Sequence, residues 1–370
     1  MKRIFSVALA AALVWLPVPA AHGVGTSASS AVLMDAGSGR VLYQSNAHEP
    51  RLIASITKLM TALVALESGH ALDEVVTIDP AWTGVEGSSI YLKAGEQVTL
   101  ETLLYGMLLR SGNDAATAVA GFCGGTVESF VVQMNEKAAQ LGMEDSAFAN
   151  PSGLNEEGHH SSAWDMALLA RACLENETLS KIVATKSIAL GGRIFTNHNK
   201  LLWRYQGCIG MKTGFTEKAG RTLVSAAERD GLTLVCVTLN DPSDWADHAA
   251  LFDYGFAEFE SRSLLCAGET LCRLPVSGGL ISFCPAVVEE DFSLCLAPGE
   301  EVRRELVMNR ASLTAPVRQG TPLGEVVYYQ EQTVVGRAPL TAGRSIEDVQ
   351  VAPLGLWESL KGRLQELSCL

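Results

Sequence analysis

The sequence predicts an α/β domain, built from an antiparallel sheet and a cluster of helices, followed by a small all-β domain. At 370 residues the chain is longer than one ordinary hydrophobic core requires. Helix-like and strand-like apolar patterns are mixed up to residue 258, whereas short apolar stretches separated by Gly and Pro follow. We therefore predict a first domain over residues 24–258 and a β-rich domain over residues 259–350.

The N-terminus has the features of an export signal. Lys2 and Arg3 precede an almost unbroken apolar run over residues 4–18, and small residues suited to cleavage follow, ending at Gly23. The run is shorter than the roughly 20 apolar residues that cross a bilayer. We interpret residues 1–23 as a removed signal peptide, with a retained signal anchor as the alternative. The protein is then expected in the cell wall or at the outer face of the cytoplasmic membrane.

Apolar residues at helical spacing predict six helices in the first domain. In the segment that starts at Ser55, for example, Ile56, Leu59, Met60 and Leu63 form a wide buried face. The six segments are residues 55–66, 100–109, 115–119, 130–141, 163–174 and 244–254.

Short apolar runs bounded by turn residues predict five strands in the same domain. Cys236 lies inside one of them and is expected to be a small buried hydrophobe. The five segments are residues 31–35, 40–43, 209–213, 222–227 and 232–239.

The C-terminal segment over residues 351–370 is predicted to form an amphipathic helix. Leu356, Trp357, Leu360 and Leu364 recur at helical spacing, and charged residues occupy the opposite face. Such a helix is a candidate for peripheral membrane contact. The alternative is a helix docked on its own domain.

Charge and cysteine content limit the partners. A formal net charge of -13 argues against nucleic acid, because phosphate binding requires clustered Lys and Arg. Among the nine cysteines, the four from Cys266 to Cys295 are close enough in sequence to pair, and free buried thiols are the alternative. The cysteine and histidine spacings lack the patterns of zinc sites, so we expect neither a metal nor a cofactor.

The first of three short motifs is Ser55-Ile56-Thr57-Lys58. On a helix, residues three apart share one face, so the Lys58 amine can approach the Ser55 hydroxyl. A serine hydroxyl becomes a strong nucleophile only when a neighbouring base takes its proton, and a lysine can do so if burial or a nearby cation lowers its pKa. Alone, the motif is more typical of an N-cap serine followed by a surface lysine.

The second motif is Ser111-Gly112-Asn113, between two predicted helices. Ser111 is placed to relay a proton to a leaving amine, and Asn113 to hydrogen-bond a substrate amide. Alone, it is an ordinary turn in which Asp114 caps the next helix.

The third motif is Lys212-Thr213-Gly214, on a predicted strand. Lys212 and Thr213 are candidates to bind a carboxylate, and Gly214 leaves room for a substrate backbone. The N–H of Phe215 is a candidate oxyanion donor beside that of Ser55. Alone, a lysine on an edge strand is usually solvated.

The three motifs in this order resemble the set found in penicillin-binding proteins and class A β-lactamases. Over residues 30–255 the chain resembles the low-molecular-weight penicillin-binding proteins, the D-alanyl-D-alanine carboxypeptidases of the S11 serine peptidase family. Arg221 and Phe215 depart from the family pattern, which more often has a small or apolar residue and a polar residue there. The other segments that carry the resemblance are residues 31–39, 51–58, 148–154 (F-A-N-P-S-G-L), 197–202 and 210–220.

The resemblance implies a penicilloyl-serine-transferase (β-lactamase-like) domain, a smaller β-rich domain and a C-terminal amphipathic anchor. It implies an acyl-enzyme on Ser55 with Lys58 as general base, Ser111 as a second catalytic hydroxyl and Lys212 as a substrate-binding residue. The implied substrates are peptidoglycan stem peptides, with β-lactam antibiotics as covalent inhibitors.

Three rival functions are compared with the residues of the sequence. A β-lactamase needs a deacylating glutamate, usually in an E-x-x-L-N segment, and neither Glu156 nor Glu157 begins one. A non-catalytic wall-binding protein would lack the nucleophile or the base, and both are present. An aminopeptidase or esterase on the same fold stays open, because a fold does not determine its substrate.

Overall fold

The structure, a computed structural model, describes residues 24–349. The predicted signal peptide and the predicted C-terminal helix lie outside the described residues. The chain divides into two compact units. Within the described residues, the first extends to Ser261 and includes Cys295–Pro298, and the second comprises Arg262–Leu294 and residues 299–349.

One antiparallel five-stranded sheet organises the first unit, with the strand order β2-β1-β9-β8-β7. The strand β7, which carries the third motif, is therefore an edge strand. The strands of this unit are β1 (Ser30–Asp35), β2 (Val41–Ser45), β3 (Val75–Thr77), β4 (Gln97–Thr99), β5 (Ser187–Leu190), β6 (Arg193–Thr196), β7 (Cys208–Thr216), β8 (Gly220–Arg229) and β9 (Leu232–Leu239).

Between residues 24 and 261, eight α-helices accompany this sheet. Several begin where a polar side chain accepts a hydrogen bond from the first turn, as Thr99, Thr126, Ser162 and Asn176 do. The helices are α1 (Lys58–Glu67), α2 (Leu100–Leu109), α3 (Asn113–Gly124), α4 (Val127–Gln140), α5 (Ala163–Glu175), α6 (Glu177–Ala184), α7 (Leu201–Arg204) and α8 (Asp244–Glu258), with short 3-10 helices at Ala54–Thr57 and Pro80–Trp82.

Successive side chains of a strand point to opposite faces of a sheet, and both faces of the central sheet are buried. Val32 of β1 and Val237 of β9 pack into the core formed with α1 to α6. Leu33 and Cys236, their neighbours in sequence, pack into a second core with Phe252 of α8. The prediction that Cys236 is a buried hydrophobe is confirmed.

The predicted helix over residues 55–66 needs correction at its start. Ser55 lies in the 3-10 helix Ala54–Thr57, and α1 begins at Lys58. Ala54 has a φ of +50°, outside the helical region, so regular helix cannot continue back through Ala54. The Thr57 hydroxyl donates to the Ala54 carbonyl oxygen at 2.8 Å. Asp114 is not the cap of α3 either: Gly112 is the N-cap residue, and Asp114 lies in the first turn.

Up to residue 349, the second unit is all-β, as predicted. Its main sheet has the order β14-β16-β17-β12-β11-β15, antiparallel except for the parallel pair β11–β15. Its core includes Leu274, Cys284, Ala286 and Leu323. The remaining strands of the chain are β10 (Glu260–Leu265), β11 (Thr270–Ser277), β12 (Phe283–Val288), β13 (Phe292–Leu296), β14 (Arg303–Met308), β15 (Leu313–Thr314), β16 (Pro322–Gln330) and β17 (Thr333–Ala342).

Two further observations bear on the sequence predictions. No disulfide joins any of the eight cysteines within residues 24–349, so the predicted pairing among Cys266 to Cys295 is not observed there. Over the same residues, no single helix is long and apolar enough to span a membrane. Only α3 and α4, bent by 86° relative to each other, reach that length and composition as a pair.

Candidate active site

The Ser55 hydroxyl and the Lys58 amine are in direct contact. The Lys58 Nζ lies 2.9 Å from Ser55 Oγ, and it donates to Asn113 Oδ1 at 2.7 Å and to the Ser152 carbonyl oxygen at 2.5 Å. In a 3-10 turn, residues three apart eclipse each other, which brings these two side chains together. The structure thus joins the first motif to the second.

Lys58 has no exposed surface at all. Burial, followed by the nearby Lys212 ammonium, holds the pKa of Lys58 well below its usual range, while Asp114 opposes the shift. Removing a cation from water disfavours its charged form, and a second cation adds to the effect. A neutral Lys58 amine has a free lone pair and can take the Ser55 proton.

The second motif presents one side chain to each lysine. Ser111, with a φ of +63°, accepts a hydrogen bond from Lys212 Nζ at 3.1 Å. Asn113 is the first residue of α3, and its amide is oriented by the Lys58 amine on Oδ1 and by the Glu86 carbonyl, which accepts from Nδ2 at 2.5 Å. The second hydrogen of that amide nitrogen leaves Asn113 able to donate once more.

Asp114 is a residue of this site that sequence reasoning missed, because helix capping explained it. Its carboxylate, 1% exposed, accepts from Ser89 Oγ at 2.6 Å and from the backbone N–H groups of Ile90 and Leu92, each at 3.0 Å. It therefore fastens the loop before β4 to the helix that begins with Asn113. Its charge also lies close enough to raise the pKa of Lys58.

Lys212 is almost as buried as Lys58. Its amine donates to Ser111 Oγ and to the Thr213 carbonyl oxygen at 2.7 Å, and burial lowers its pKa to about 7. The free enzyme therefore holds this lysine close to its midpoint of ionisation at neutral pH. An incoming carboxylate would favour the charged form.

Gly214 brings the edge strand against the nucleophile. A Cβ at this position would lie 2.9 Å from the Ser55 backbone nitrogen, 3.1 Å from the Ile53 carbonyl oxygen and 2.4 Å from Thr222 Oγ1. Only glycine fits without displacing the turn that carries Ser55. The next residue, Phe215, leaves 63% of its surface exposed.

His159 is a second residue of the site that the sequence did not indicate, since it lies outside the three motifs. It is 2% exposed, and its Nε2 lies 2.8 Å from Thr57 Oγ1. Its other ring nitrogen, Nδ1, accepts from the Ala149 N–H at 3.1 Å. Spacing offered no signal for this contact, because Thr57 is far away in sequence.

Arg221, which departs from the family pattern, lies beside the sheet and not in the constellation around Ser55. Its guanidinium makes two hydrogen bonds of 2.8 Å to the carboxylate of Asp244 and stacks over Trp245, 5.5 Å from the ring centre. Asp244 is the first residue of α8. Arg221 thus links β8 to α8.

The arrangement provides a serine beside a buried amine, with a second serine–lysine pair next to it. These groups can remove a proton from one hydroxyl and deliver a proton through the other, as acyl transfer requires. Within residues 24–349, no group of three His, Cys, Asp or Glu side chains is arranged to hold a metal ion.

Comparison with known proteins gives concordant matches over both units. The family model of D-alanyl-D-alanine carboxypeptidases matches residues 18–243, and that of the C-terminal domain of penicillin-binding protein 5 matches residues 259–348. The D-alanyl-D-alanine carboxypeptidase DacF of Bacillus subtilis (strain 168) is 33% identical over 367 residues, covering 92% of this chain and 94% of the relative.

Solved structures agree. Penicillin-binding protein 5 from Haemophilus influenzae has a TM-score of 0.73 and 30% identity, covering 88% of this chain and 98% of that protein. A peptidoglycan synthesis regulatory factor (PBP3) from Streptococcus pneumoniae has a TM-score of 0.78 and 27% identity, covering 87% and 100% respectively. The predicted fold class is confirmed for both domains, and the chain belongs to the D-alanyl-D-alanine carboxypeptidase family.

Proposed function

We propose that the protein removes the terminal D-alanine from peptidoglycan stem peptides through an acyl-enzyme on Ser55, and that penicillin acylates the same serine. The observation that carries this proposal is the contact between the Ser55 hydroxyl and a fully buried Lys58 amine of lowered pKa. Membership of the carboxypeptidase family supports the choice of substrate.

Acylation begins when Lys58 Nζ takes the proton of Ser55 Oγ. The oxygen bonds to the carbonyl carbon of the penultimate D-alanine, and the negative charge that develops on the carbonyl oxygen is held by backbone N–H groups of Ser55 and Phe215. One feature supports this pair of donors. Gly214 lets the edge strand approach the Ser55 nitrogen, which places the strand segment that contains Phe215 beside the turn that contains Ser55.

Departure of D-alanine requires a proton on its nitrogen as the C–N bond breaks. Ser111 gives its hydroxyl proton to that nitrogen and receives one from Lys212, whose amine already donates to Ser111 Oγ. The proton that Lys58 took from Ser55 then replaces the one that Lys212 gave up, so Lys58 is neutral and Lys212 is charged again. In the second step water gives a proton to Lys58 Nζ as its oxygen bonds to the ester carbon, and Ser55 Oγ leaves with that proton from Lys58. Lys212, Thr213 and Asn113 bind the carboxylate and amide of the peptide.

A β-lactamase activity is less well supported. Glu156 is exposed, and its carboxylate accepts from Asn150 Nδ2 at 2.9 Å rather than contacting Ser55 or Lys58. Asn155, the preceding residue, accepts from the Thr216 hydroxyl at 3.1 Å. Neither side chain is placed to activate a water for rapid hydrolysis of a penicilloyl ester.

The location of the protein is also part of this proposal. We propose that residues 1–23 direct export and that residues 351–370 hold the enzyme at the membrane surface through an amphipathic helix. Deleting residues 354–370 and fractionating cells tests the second statement, because the truncated protein should move from the membrane fraction to the soluble fraction. Retention in the membrane fraction would contradict it.

The activity is tested by mass spectrometry of a penicillin-treated digest together with a D-alanine release assay on a pentapeptide. The expected results are a penicilloyl adduct on the peptide that contains Ser55 and release of free D-alanine. Labelling of Ser55→Ala by fluorescent penicillin would show that the nucleophile is another residue. Cleavage of an N-terminal residue without D-alanine release would reject the carboxypeptidase assignment.

A further inference from the structure

The carbonyl of Ala54 and the N–H of Ser55 belong to one peptide unit. Such a unit is planar and trans, so its C=O and N–H point in opposite directions. Contacts that hold the Ala54 oxygen therefore also aim the Ser55 N–H. The Thr57 hydroxyl donates to the Ala54 oxygen at 2.8 Å, and a Cβ on Gly153 would lie only 1.9 Å from that atom.

The direction of the Thr57 hydroxyl is itself determined by His159. The His159 Nδ1 accepts the Ala149 N–H at 3.1 Å, and a neutral imidazole carries its proton on the other nitrogen. Nε2–H therefore donates to Thr57 Oγ1 at 2.8 Å. With its acceptor site occupied in this way, Thr57 directs its own proton to Ala54.

The ionisation state of His159 agrees with this order of donors. Burial, together with the nearby His160 and Lys58, lowers the pKa of His159 to about 4, so the ring is neutral at neutral pH. A charged ring would carry a proton on both nitrogens and could not accept from Ala149.

We propose that His159 and Thr57 form a positioning relay that aims the Ser55 N–H at the oxyanion of the acylation step. The inference rests on the proposed role of Ser55. His159 and Thr57 touch no reacting atom of the acylation step, and they act through the peptide unit between Ala54 and Ser55. Ala54 adopts a left-handed φ of +50°, a conformation that a non-glycine residue keeps only when its surroundings hold it.

The test compares Thr57→Val with Thr61→Val. Both substitutions remove a buried hydroxyl that donates to a backbone carbonyl. The Thr61 hydroxyl donates to the Pro151 carbonyl oxygen at 2.7 Å, in the segment that also contains Gly153. We expect Thr57→Val to lower the acylation rate constant with a chromogenic β-lactam by about 10- to 100-fold, less than loss of a whole oxyanion donor. We expect KM for the pentapeptide to change little. Thr61→Val should acylate within about twofold of wild type while losing similar thermal stability.

His159 is tested by His159→Leu and His159→Gln. The leucine removes the donor to Thr57 and should slow acylation about as much as Thr57→Val, whereas the glutamine amide can donate and should restore part of the rate. The double variant Thr57→Val/His159→Leu should be no slower than the worse single variant, because both act through one chain of bonds.

Three outcomes would overturn the relay. They are wild-type acylation in Thr57→Val, an equal loss in Thr61→Val, or effects of the two relay residues that multiply in the double variant. If Ser55→Ala is also inert to penicillin in these experiments, the proposed function stands and only the relay fails. Labelling of Ser55→Ala would reject the proposed function itself.

Discussion

Replacing Gly214 with alanine would test how closely the edge strand must approach the nucleophile. The added methyl carbon would lie 2.9 Å from the Ser55 nitrogen and 2.4 Å from Thr222 Oγ1. To reach the 3.4 Å at which ordinary contacts begin, the strand and the Ser55 nitrogen must separate by roughly 0.5 Å. Catalytic groups have to be held to within about 0.5 Å, and a misplacement of about 1 Å can reduce a rate about 100-fold. We therefore expect acylation to fall about 10- to 100-fold.

The assay measures the acylation rate constant with a chromogenic β-lactam, D-alanine release and the thermal midpoint. Overpacking also costs about 1–3 kcal/mol of unfolding free energy, so strain has to be separated from displacement of Ser55. Thr222→Ala serves as the reference, because it removes the nearest contact. In that background Gly214→Ala should cost less stability than in wild type, yet the loss of acylation should persist.

Two results would refute this reasoning. The first is a Gly214→Ala variant that acylates within about threefold of wild type, since the structure leaves no space for the methyl group. The second is full recovery of acylation in the Gly214→Ala/Thr222→Ala variant relative to Thr222→Ala. Recovery would assign the loss to the Thr222 contact and not to the position of Ser55.

Three further predictions follow from charges and contacts. In wild type, kcat/KM should fall as pH rises through about 7, where Lys212 loses its charge. Lys212→Arg should remove this alkaline limb from the pH profile because arginine stays charged, and it should lower the maximal rate because arginine cannot give a proton to Ser111. Lys212→Met should move the acid limb of the kcat/KM profile to higher pH. Losing the neighbouring cation raises the pKa of Lys58, so its amine becomes neutral only at higher pH. An acid limb at the wild-type pH would contradict the role of Lys58 as the base. Arg221→Met should lower the unfolding free energy by about 1–2 kcal/mol in chemical denaturation, because it leaves the buried Asp244 carboxylate without its cationic partner. Penicillin acylation of the native variant should stay within about twofold of wild type, and a large loss of acylation would place Arg221 in the site instead.

Residues whose chemistry depends on near neighbours in sequence were predictable. Lys58 was expected beside Ser55 from a three-residue spacing, and that contact holds although the turn is a 3-10 helix and not the start of an α-helix. Ser111 and Lys212 were each expected in the site through the order of the motifs, but they were not expected to contact each other. Their contact of 3.1 Å joins segments far apart in the chain, so spacing could not predict it.

Other features were missed for physical reasons. The His159 ring forms a hydrogen bond with the Thr57 hydroxyl, and no local sequence pattern predicts a contact between residues so distant in the chain. The helix α6 and the hairpin of β5 and β6 were also missed. The available signal for the hairpin was the pair Gly191-Gly192 between two short apolar segments, because a two-residue glycine turn favours a hairpin.

The pairing of the first strand with the last strand of the central sheet has a consequence for how the enzyme matures. Ser30 is opposite Leu239 and Asp35 is opposite Leu234, so the sheet closes only after nearly the whole first unit has been made. Contacts of such large sequence separation make folding slow, because a long segment must be ordered before they form. The turn that bears Ser55 depends on the same late strands, through Gly214 and Thr222. Covalent labelling by penicillin should thus appear as one of the last events of folding, and chains that end before β9 should accumulate without it.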